Sequence, residues 1–367
     1  MGSSLDFEPP DVSDGEGEHL KPHLKSGGST KPLADTGVLR QRFMIPPTEV
    51  EELLAARHIA KHDSHAVHAF LMSLVQPAAC LARAPISSFH VGAVGLGVSG
   101  AIYVGVNIEF PHGHLNDSIH AEQFLLLNCL NHGERGLQVL AVSAAPCGHC
   151  RQFMVETTTA DHARIVFGAE EDQPCCSGKD ASSEGVSNSS LNGGASKVYN
   201  SYNLNDLLPL KFGPMDLMSD GKAFPLLLAQ QHHKVSVSPR SLAGLAAKRG
   251  GISEFLDRGI KEAERWAQQC YAPYTECVSG VAILTSEGKV YSGGYVESAA
   301  FNPSLTPFHA AWAAAVSDHV LPEQVQEVIL TELHSSLVSQ RHGVKSLTKK
   351  LAPQASFTLL YLQQNSV

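Results

Sequence analysis

His120-Ala121-Glu122, separated by 23 residues from Pro146-Cys147-Gly148-His149-Cys150, is the stretch on which the reading of this chain turns. It offers one imidazole and two thiols, donors that suit zinc, and one carboxylate that is not needed as a ligand. Three protein ligands leave the fourth tetrahedral position open, as in catalytic rather than closed structural zinc sites. Zinc lowers the pKa of a bound water from about 15.7 to about 7. Glu122 is then the group that can take up and return protons.

The spacing constrains the local fold. Positions i and i+2 inside a helix point roughly 200° apart, so His120 and Glu122 converge only at a helix N-terminus. Asn116-Asp117-Ser118 supplies good N-cap residue types, and residues 124–127 continue as an apolar helix. Cys147 to Cys150 likewise follows a strand-like run at 138–145 and precedes a helical segment at 151–156. Thiols at a helix start are favoured as thiolates, with backbone N–H groups and Arg151 available to offset their charge. Blander readings exist for each residue. The cysteines could form a redox C-x-x-C pair or part of a structural zinc site, although no second Cys or His pair lies at the usual spacing. Glu122 could be an ordinary first-turn acid, and His149 reads as a loop residue rather than a fourth ligand. Taken together, the H-x-E…P-C-x-x-C pattern resembles the signature of zinc-dependent deaminases.

Composition narrows the substrate. The chain has 367 residues and a net charge of −9. It has no run of Lys or Arg longer than two, which disfavours polynucleotide binding, a process dominated by phosphate neutralisation. There is no 18-residue apolar stretch and no signal-peptide pattern, so neither a membrane span nor export is expected. Eight irregularly spread cysteines suit a reducing, cytoplasmic compartment. The glycosylation-like triplets at Asn116 and Asn188 then read as chance.

Residues 1–44, rich in Gly, Ser and Pro, read as a disordered tail. A helical run at 51–61, which Thr48 could cap, opens the first domain at 45–170. A second helix at about 66–74 and strands at 90–98 and 101–108 follow. Residues 171–203 read as a low-complexity insert, with Cys175 and Cys176 unstructured, and 204–235 as a connector. Residues 236–367 then form a second domain. Residues 84–110 align without a gap on 272–298, an offset of 188, with identities that include Ala84/Ala272, Pro85/Pro273, Gly92/Gly280, Gly105/Gly293 and Glu109/Glu297. One residue of slippage later, His120-Ala121-Glu122 meets His309-Ala310-Ala311. The second copy keeps the His, loses the Glu and has no P-C-x-x-C. A lone His cannot hold a catalytic zinc, so one working site per chain is expected.

Ala84-Pro85-Ile86-Ser87-Ser88-Phe89, Asn107-Ile108-Glu109-Phe110, His120-Ala121-Glu122-Gln123 and Pro146-Cys147-Gly148-His149-Cys150-Arg151-Gln152-Phe153 together resemble cytidine deaminase over about residues 45–320. The length and the degenerate copy resemble its homodimeric two-domain class. The resemblance implies an α/β fold, a three-layer α/β/α sandwich with a mixed sheet, present as one catalytic and one degenerate copy. It implies a zinc ion (Zn2+) on His120, Cys147 and Cys150, with Glu122 catalytic. It further implies a small nucleoside substrate, with Asn107 and Glu109 on the ribose and Phe89 on the base, and a homodimer in which Phe212 of a neighbouring subunit reaches the pocket. For Phe89 and Phe212 plain core packing remains open, and Glu297 hints at a partly structural role for Glu109. The expected reaction is hydrolytic deamination of cytidine and 2′-deoxycytidine. The alternatives are another small aminated nucleoside or base, a nucleic-acid editing deaminase, and a zinc module without activity.

Overall fold

A computed structural model describes residues 38–168, 199–217 and 226–365. The expectations for residues 1–37 and for most of the insert, including Cys175 and Cys176, lie outside them. The first copy runs β1 (Met44–Ile45), α1 (Pro47–Ala56), α2 (Ser64–Ala79), β2 (Gly92–Gly97), β3 (Ile102–Val106), α3 (Ala121–Asn131), β4 (Leu137–Val142), α4 (Gly148–Met154), β5 (Arg164–Gly168) and β6 (Tyr199–Tyr202). Short helices α5 (Leu204–Leu207) and α6 (Pro214–Leu217) occupy the connector. The second copy runs β7 (Val235–Val237), α7 (Pro239–Arg249), α8 (Glu254–Gln269), β8 (Ser279–Thr285), β9 (Val290–Gly294), α9 (Pro307–Ser317), β10 (Val325–Leu333), α10 (Arg341–Leu351) and β11 (Ser356–Gln364).

The first sheet has the order β1-β3-β2-β4-β5-β6, and the second β7-β11-β10-β8-β9. Each is mixed in the same way. β2 and β3 form an antiparallel hairpin, as do β8 and β9, and Gly100 and Gly288 take the left-handed turn positions at φ 86° and 76°. The parallel pairs are β4 with β5, reached through α4, and β10 with β11, reached through α10. The carboxyl end of β4 therefore delivers Cys147 to a crossover, the place where open α/β sheets carry their ligand crevices.

The layers follow from the shared glycines. Side chains alternate faces along a strand, so Gly92 and Gly95 of β2 point to opposite sides. A Cβ on Gly92 would strike the backbone of α2, whereas one on Gly95 would meet Leu125 of α3. Helices thus cover both faces of the sheet. Gly105 lies against Ala121 and Leu125, and its counterpart Gly293 lies against Ala310 and Ala311. Those glycines recur in the repeat because a helix backbone sits directly on the strand.

Three sequence expectations are corrected. Val38, Leu39 and Phe43, assigned to the tail, are buried, and the Phe43 carbonyl accepts from Asn128 at 2.6 Å. β1 pairs antiparallel with β3 on top of that contact, so packed structure starts before residue 45. Thr48 caps nothing, because Pro46 is the N-cap of α1 and Pro47 the first helical residue, where no N–H is needed. Tyr199–Tyr202, assigned to the insert, is an edge strand antiparallel to β5. One buried core runs from α2 and α3 through Phe308, Trp312 and Val316 of α9 into β10, so the two copies share it. Each fully buried Phe in that core contributes roughly 1.5–3 kcal/mol. Among the described residues no helix is long and apolar enough to cross a membrane.

Candidate active site

His120 and Cys147 are both helix N-caps. His120 precedes α3 with extended backbone angles (φ −79°, ψ 156°), and Cys147 precedes α4 in the same way (φ −68°, ψ 166°). Because His120 stands just outside the helix and Glu122 within its first turn, their side chains can serve one point. The expected cap at Asn116-Asp117-Ser118 is not used for α3. Asp117 instead accepts from the His114 N–H within its own short turn.

His120 Nδ1 lies 3.4 Å from Cys147 Sγ and 3.3 Å from Cys150 Sγ, and the three donor atoms fall within 4.8 Å of one another. Zinc–nitrogen and zinc–sulfur bonds of about 2.0 and 2.3 Å place tetrahedral N and S ligands roughly 3.6 Å apart, so the cluster fits a zinc ion with little adjustment. Among the described residues it is the group of this kind that a metal would find. Hydrogen bonding from Cys150 and from His120 pulls the Cys147 thiol down to about 3, while Cys150, paired with it and buried, is pushed far up. Zinc takes both sulfurs as thiolates, so binding it releases the protons they carry. Arg151 makes its hydrogen bonds to backbone carbonyls. Its guanidinium is spent on the Pro146 and Leu207 carbonyls, at 2.7 and 2.8 Å, which anchors the residue before Cys147 to the connector.

Glu122 is 5% exposed, and burial raises its carboxyl above the ordinary range, opposed by its own backbone N–H and by Cys150. A cavity of about 340 Å³ opens in front of it and is lined by Phe89, Asn107, Glu109, Leu115, Glu122 and Cys147 among others. His120, Cys147 and Glu122 therefore share one cavity with Asn107 and Glu109.

Asn107 and Glu109 are also structural. Asn107 Nδ2 donates to the Phe89 carbonyl and its Oδ1 accepts from the Val91 N–H, both at 2.8 Å. Glu109 accepts from the Ile86 and Ser87 N–H groups at 2.7 and 3.0 Å and from Ser87 Oγ at 2.5 Å. Although partial burial raises the Glu109 carboxyl, those Ser87 and Ile86 bonds leave it below its ordinary value. Phe89, 50% exposed, is no core residue and forms a wall of the cavity. Phe212 is 44% exposed and lines no part of this chain's own cavity; its carbonyl accepts from Gln152 at 2.5 Å. Sequence reasoning passed over Ser87, Leu115 and Gln123. For Ser87 a signal was present, since Thr275 keeps a hydroxyl at the same repeat position.

The second copy repeats the clamp without the chemistry. Glu297 accepts from the Tyr274 and Thr275 N–H groups at 2.8 and 3.2 Å, and from the Thr275 hydroxyl. Tyr295 and Cys277 stand where Asn107 and Phe89 stand, and both are buried. His309 is the third residue of α9 rather than its cap. Its Nδ1 accepts from the Thr306 N–H at 3.1 Å, and burial lowers its pKa to about 4.

Residues 65–169 and 204–345 each match a family model described as the cytidine and deoxycytidylate deaminase zinc-binding region. Over 320 residues the chain is 38% identical to cytidine deaminase 1 of Arabidopsis thaliana, spanning 87% of this chain and 99% of that protein. This chain belongs to the cytidine deaminase family. Cytidine deaminase 6 of the same plant is 36% identical over 299 residues, spanning 79% of this chain and 91% of its own. The cytidine deaminase of Vibrio vulnificus (strain CMCP6) is 32% identical over 291 residues, covering 79% of this chain and 82% of its own. Zinc is the cofactor of this deaminase: the matched regions are zinc-binding ones, and one of them contains the His/Cys/Cys cluster.

Proposed function

We propose that the deaminase hydrolyses cytidine and 2′-deoxycytidine to uridine and 2′-deoxyuridine with release of ammonia, as a step of pyrimidine nucleoside salvage. The observation that carries the reading is one cavity lined by Glu122, by Asn107 and Glu109, and by His120 and Cys147 of the His120, Cys147 and Cys150 cluster. Zinc, held by those three residues, supplies the Lewis acidity that makes water a competent nucleophile near neutral pH.

Glu122 takes a proton from the incoming water and delivers it to N3 of the pyrimidine. It then takes the remaining hydroxyl proton and gives it to the departing amine, so that C4 gains oxygen and loses NH3. Burial that raises its carboxyl, against the opposing pull of its own backbone N–H, Cys150 and His120, suits a carboxylate that must hold and release protons in turn. Phe89 offers a face to the base. Asn107 retains one amide N–H and Glu109 retains lone pairs beyond those used in the loop clamp, enough to take ribose hydroxyls. The test is zinc analysis combined with ammonia release from cytidine, deoxycytidine and free cytosine. Asn107→Ala with Glu109→Ala should cost the nucleosides far more than cytosine; equal losses on all three would remove the ribose assignment.

We further infer a homodimer in the cytoplasm. The connector exposes Leu210, Phe212, Met215 and Leu217 together, an apolar patch suited to a second copy. Phe212, absent from its own chain's cavity, is the residue we assign to the neighbour's. Sedimentation of wild type and Phe212→Asp tests the assembly, and activity of mixed Phe212→Ala and Glu122→Ala chains tests the shared pocket.

A further inference from the structure

Gln123 is fully buried at the third position of α3, and each of its polar atoms is used. Oε1 accepts from the backbone N–H of His120 at 3.2 Å. Nε2 donates to the carbonyl of Pro303, in the second copy, at 3.1 Å and lies 3.2 Å from His149 Nε2. With both amide hydrogens so directed, His149 Nε2 is the acceptor and the ring proton is assigned to Nδ1. The His149 ring in turn stacks on His120 at a centroid distance of 5.4 Å, from its place between the two cysteines. One side chain therefore touches the backbone of one ligand, the residue between the other two, and the other half of the molecule.

Pro303 belongs to a loop closed at its base by the pairing of Val296 with Leu305. The loop is braced inside by Ser298 N–H to Ser304 Oγ at 2.9 Å and Phe301 N–H to the Ser298 carbonyl at 2.8 Å. Its Ala299 N–H donates at 2.7 Å to Glu156, a buried carboxylate just beyond the end of α4, which also accepts from Tyr271 and Tyr274 at 2.9 and 2.5 Å. A single braced loop thus holds α3 through Pro303 and the chain after α4 through Ala299. In the first copy the corresponding loop, closed by Ile108 and Ile119, lines the nucleoside cavity with Leu115 and Ser118.

We propose that loop 297–305 of the degenerate copy is a positioning element for the zinc ligands, acting through Gln123. The loop that lines the cavity in one copy serves in the other as a strut behind the metal. Groups that orient metal ligands from behind commonly change metal affinity or activity by about 10–100-fold when removed. The proposal rests on His120, Cys147 and Cys150 holding zinc.

The experiment uses the full chain, with wild type beside Gln123→Met, Gln123→Glu and Pro303→Gly. Measured for each are zinc release to a chelator, kcat and KM for cytidine, and the thermal midpoint. The Gln123 variants should release zinc about 10–100-fold faster, with kcat lowered and KM within about twofold, because the cavity walls are untouched. Pro303→Gly keeps the carbonyl but frees the loop, and should release zinc several-fold faster; it decides the matter if the Gln123 variants do not fold. Folded variants with a lower thermal midpoint but wild-type zinc release and kcat would overturn the proposal, leaving Gln123 a packing residue. A wild-type chain that holds no zinc would overturn the metal assignment as well.

Discussion

Glu109 and Glu297 make the same three hydrogen bonds in the two copies, yet one borders an open cavity and the other is 1% exposed inside packed protein. The contrast separates what the fold needs from what the chemistry needs. The carboxylate that holds the loop after Ala84-Pro85 or Ala272-Pro273 persists in both, as do the glycines under the helices. Glu122, the two cysteines and the N-cap placement of His120 occur once. The duplicated parts are therefore the scaffold, and the unduplicated ones the candidate chemistry.

The largest effect that tests this division is at Glu122. Glu122→Ala should keep its zinc and lose kcat by about 10²–10⁴, the range that general acid–base catalysis supplies. Adding Ala311→Glu to that variant should restore nothing, because His309 has no cysteine partners and its Nδ1 is already engaged. Metal analysis beside ammonia release reads both. Recovery in the double variant would mean that the second copy still carries a working centre.

The two clamps should then dissociate. Glu297→Ala takes the buried acceptor from the half-buried Tyr274 and Thr275 N–H groups and the Thr275 hydroxyl, and an unsatisfied group costs up to about 1–3 kcal/mol where water cannot reach it. The expected result is a fall in unfolding free energy, with KM unchanged in the folded fraction. Glu109→Ala should do the reverse. Ile86 and Ser87 are exposed, so water replaces the lost acceptor at a cost below about 1 kcal/mol, while KM for cytidine rises. Denaturant unfolding paired with kinetics decides it, and equal destabilisation by both variants would erase the distinction.

Much of this division was legible in the residues. The His120, Glu122, Cys147 and Cys150 spacing names its own metal and its own acid, and the gapless repeat exposed the degenerate copy. What stayed hidden depends on tertiary contact. Phe43-Met44-Ile45 is an apolar run too short to show a period after a polar, Gly/Ser/Pro-rich start, and its packing shows in its burial and in the Phe43 carbonyl bond to Asn128. His120 as its own N-cap could not be read while Asn116, Asp117 and Ser118, better capping types, lay just upstream. Gln123 carried no signal of its own, since its meaning lies in Pro303, 180 residues away.

The smallest expected effect lies at the seam between the copies. Glu156 is 0% exposed, and burial raises its carboxyl above its ordinary value of 4.5 even though Tyr274, Ala299 and Tyr271 donate to it. A carboxyl raised on folding binds its proton more tightly in the native state. Its contribution to stability is therefore fully present below pH 4.5 and is lost as pH rises through the folded value. Glu156→Gln keeps an oxygen for the Ala299 N–H, and its amide can donate to a tyrosine oxygen once that hydroxyl turns. Its thermal midpoint, measured against wild type in buffers from pH 4.5 upward, should fall less with pH while kcat stays unchanged. Parallel midpoint curves for the two proteins would show that the seam is held by packing alone, with the Glu156 charge as a bystander.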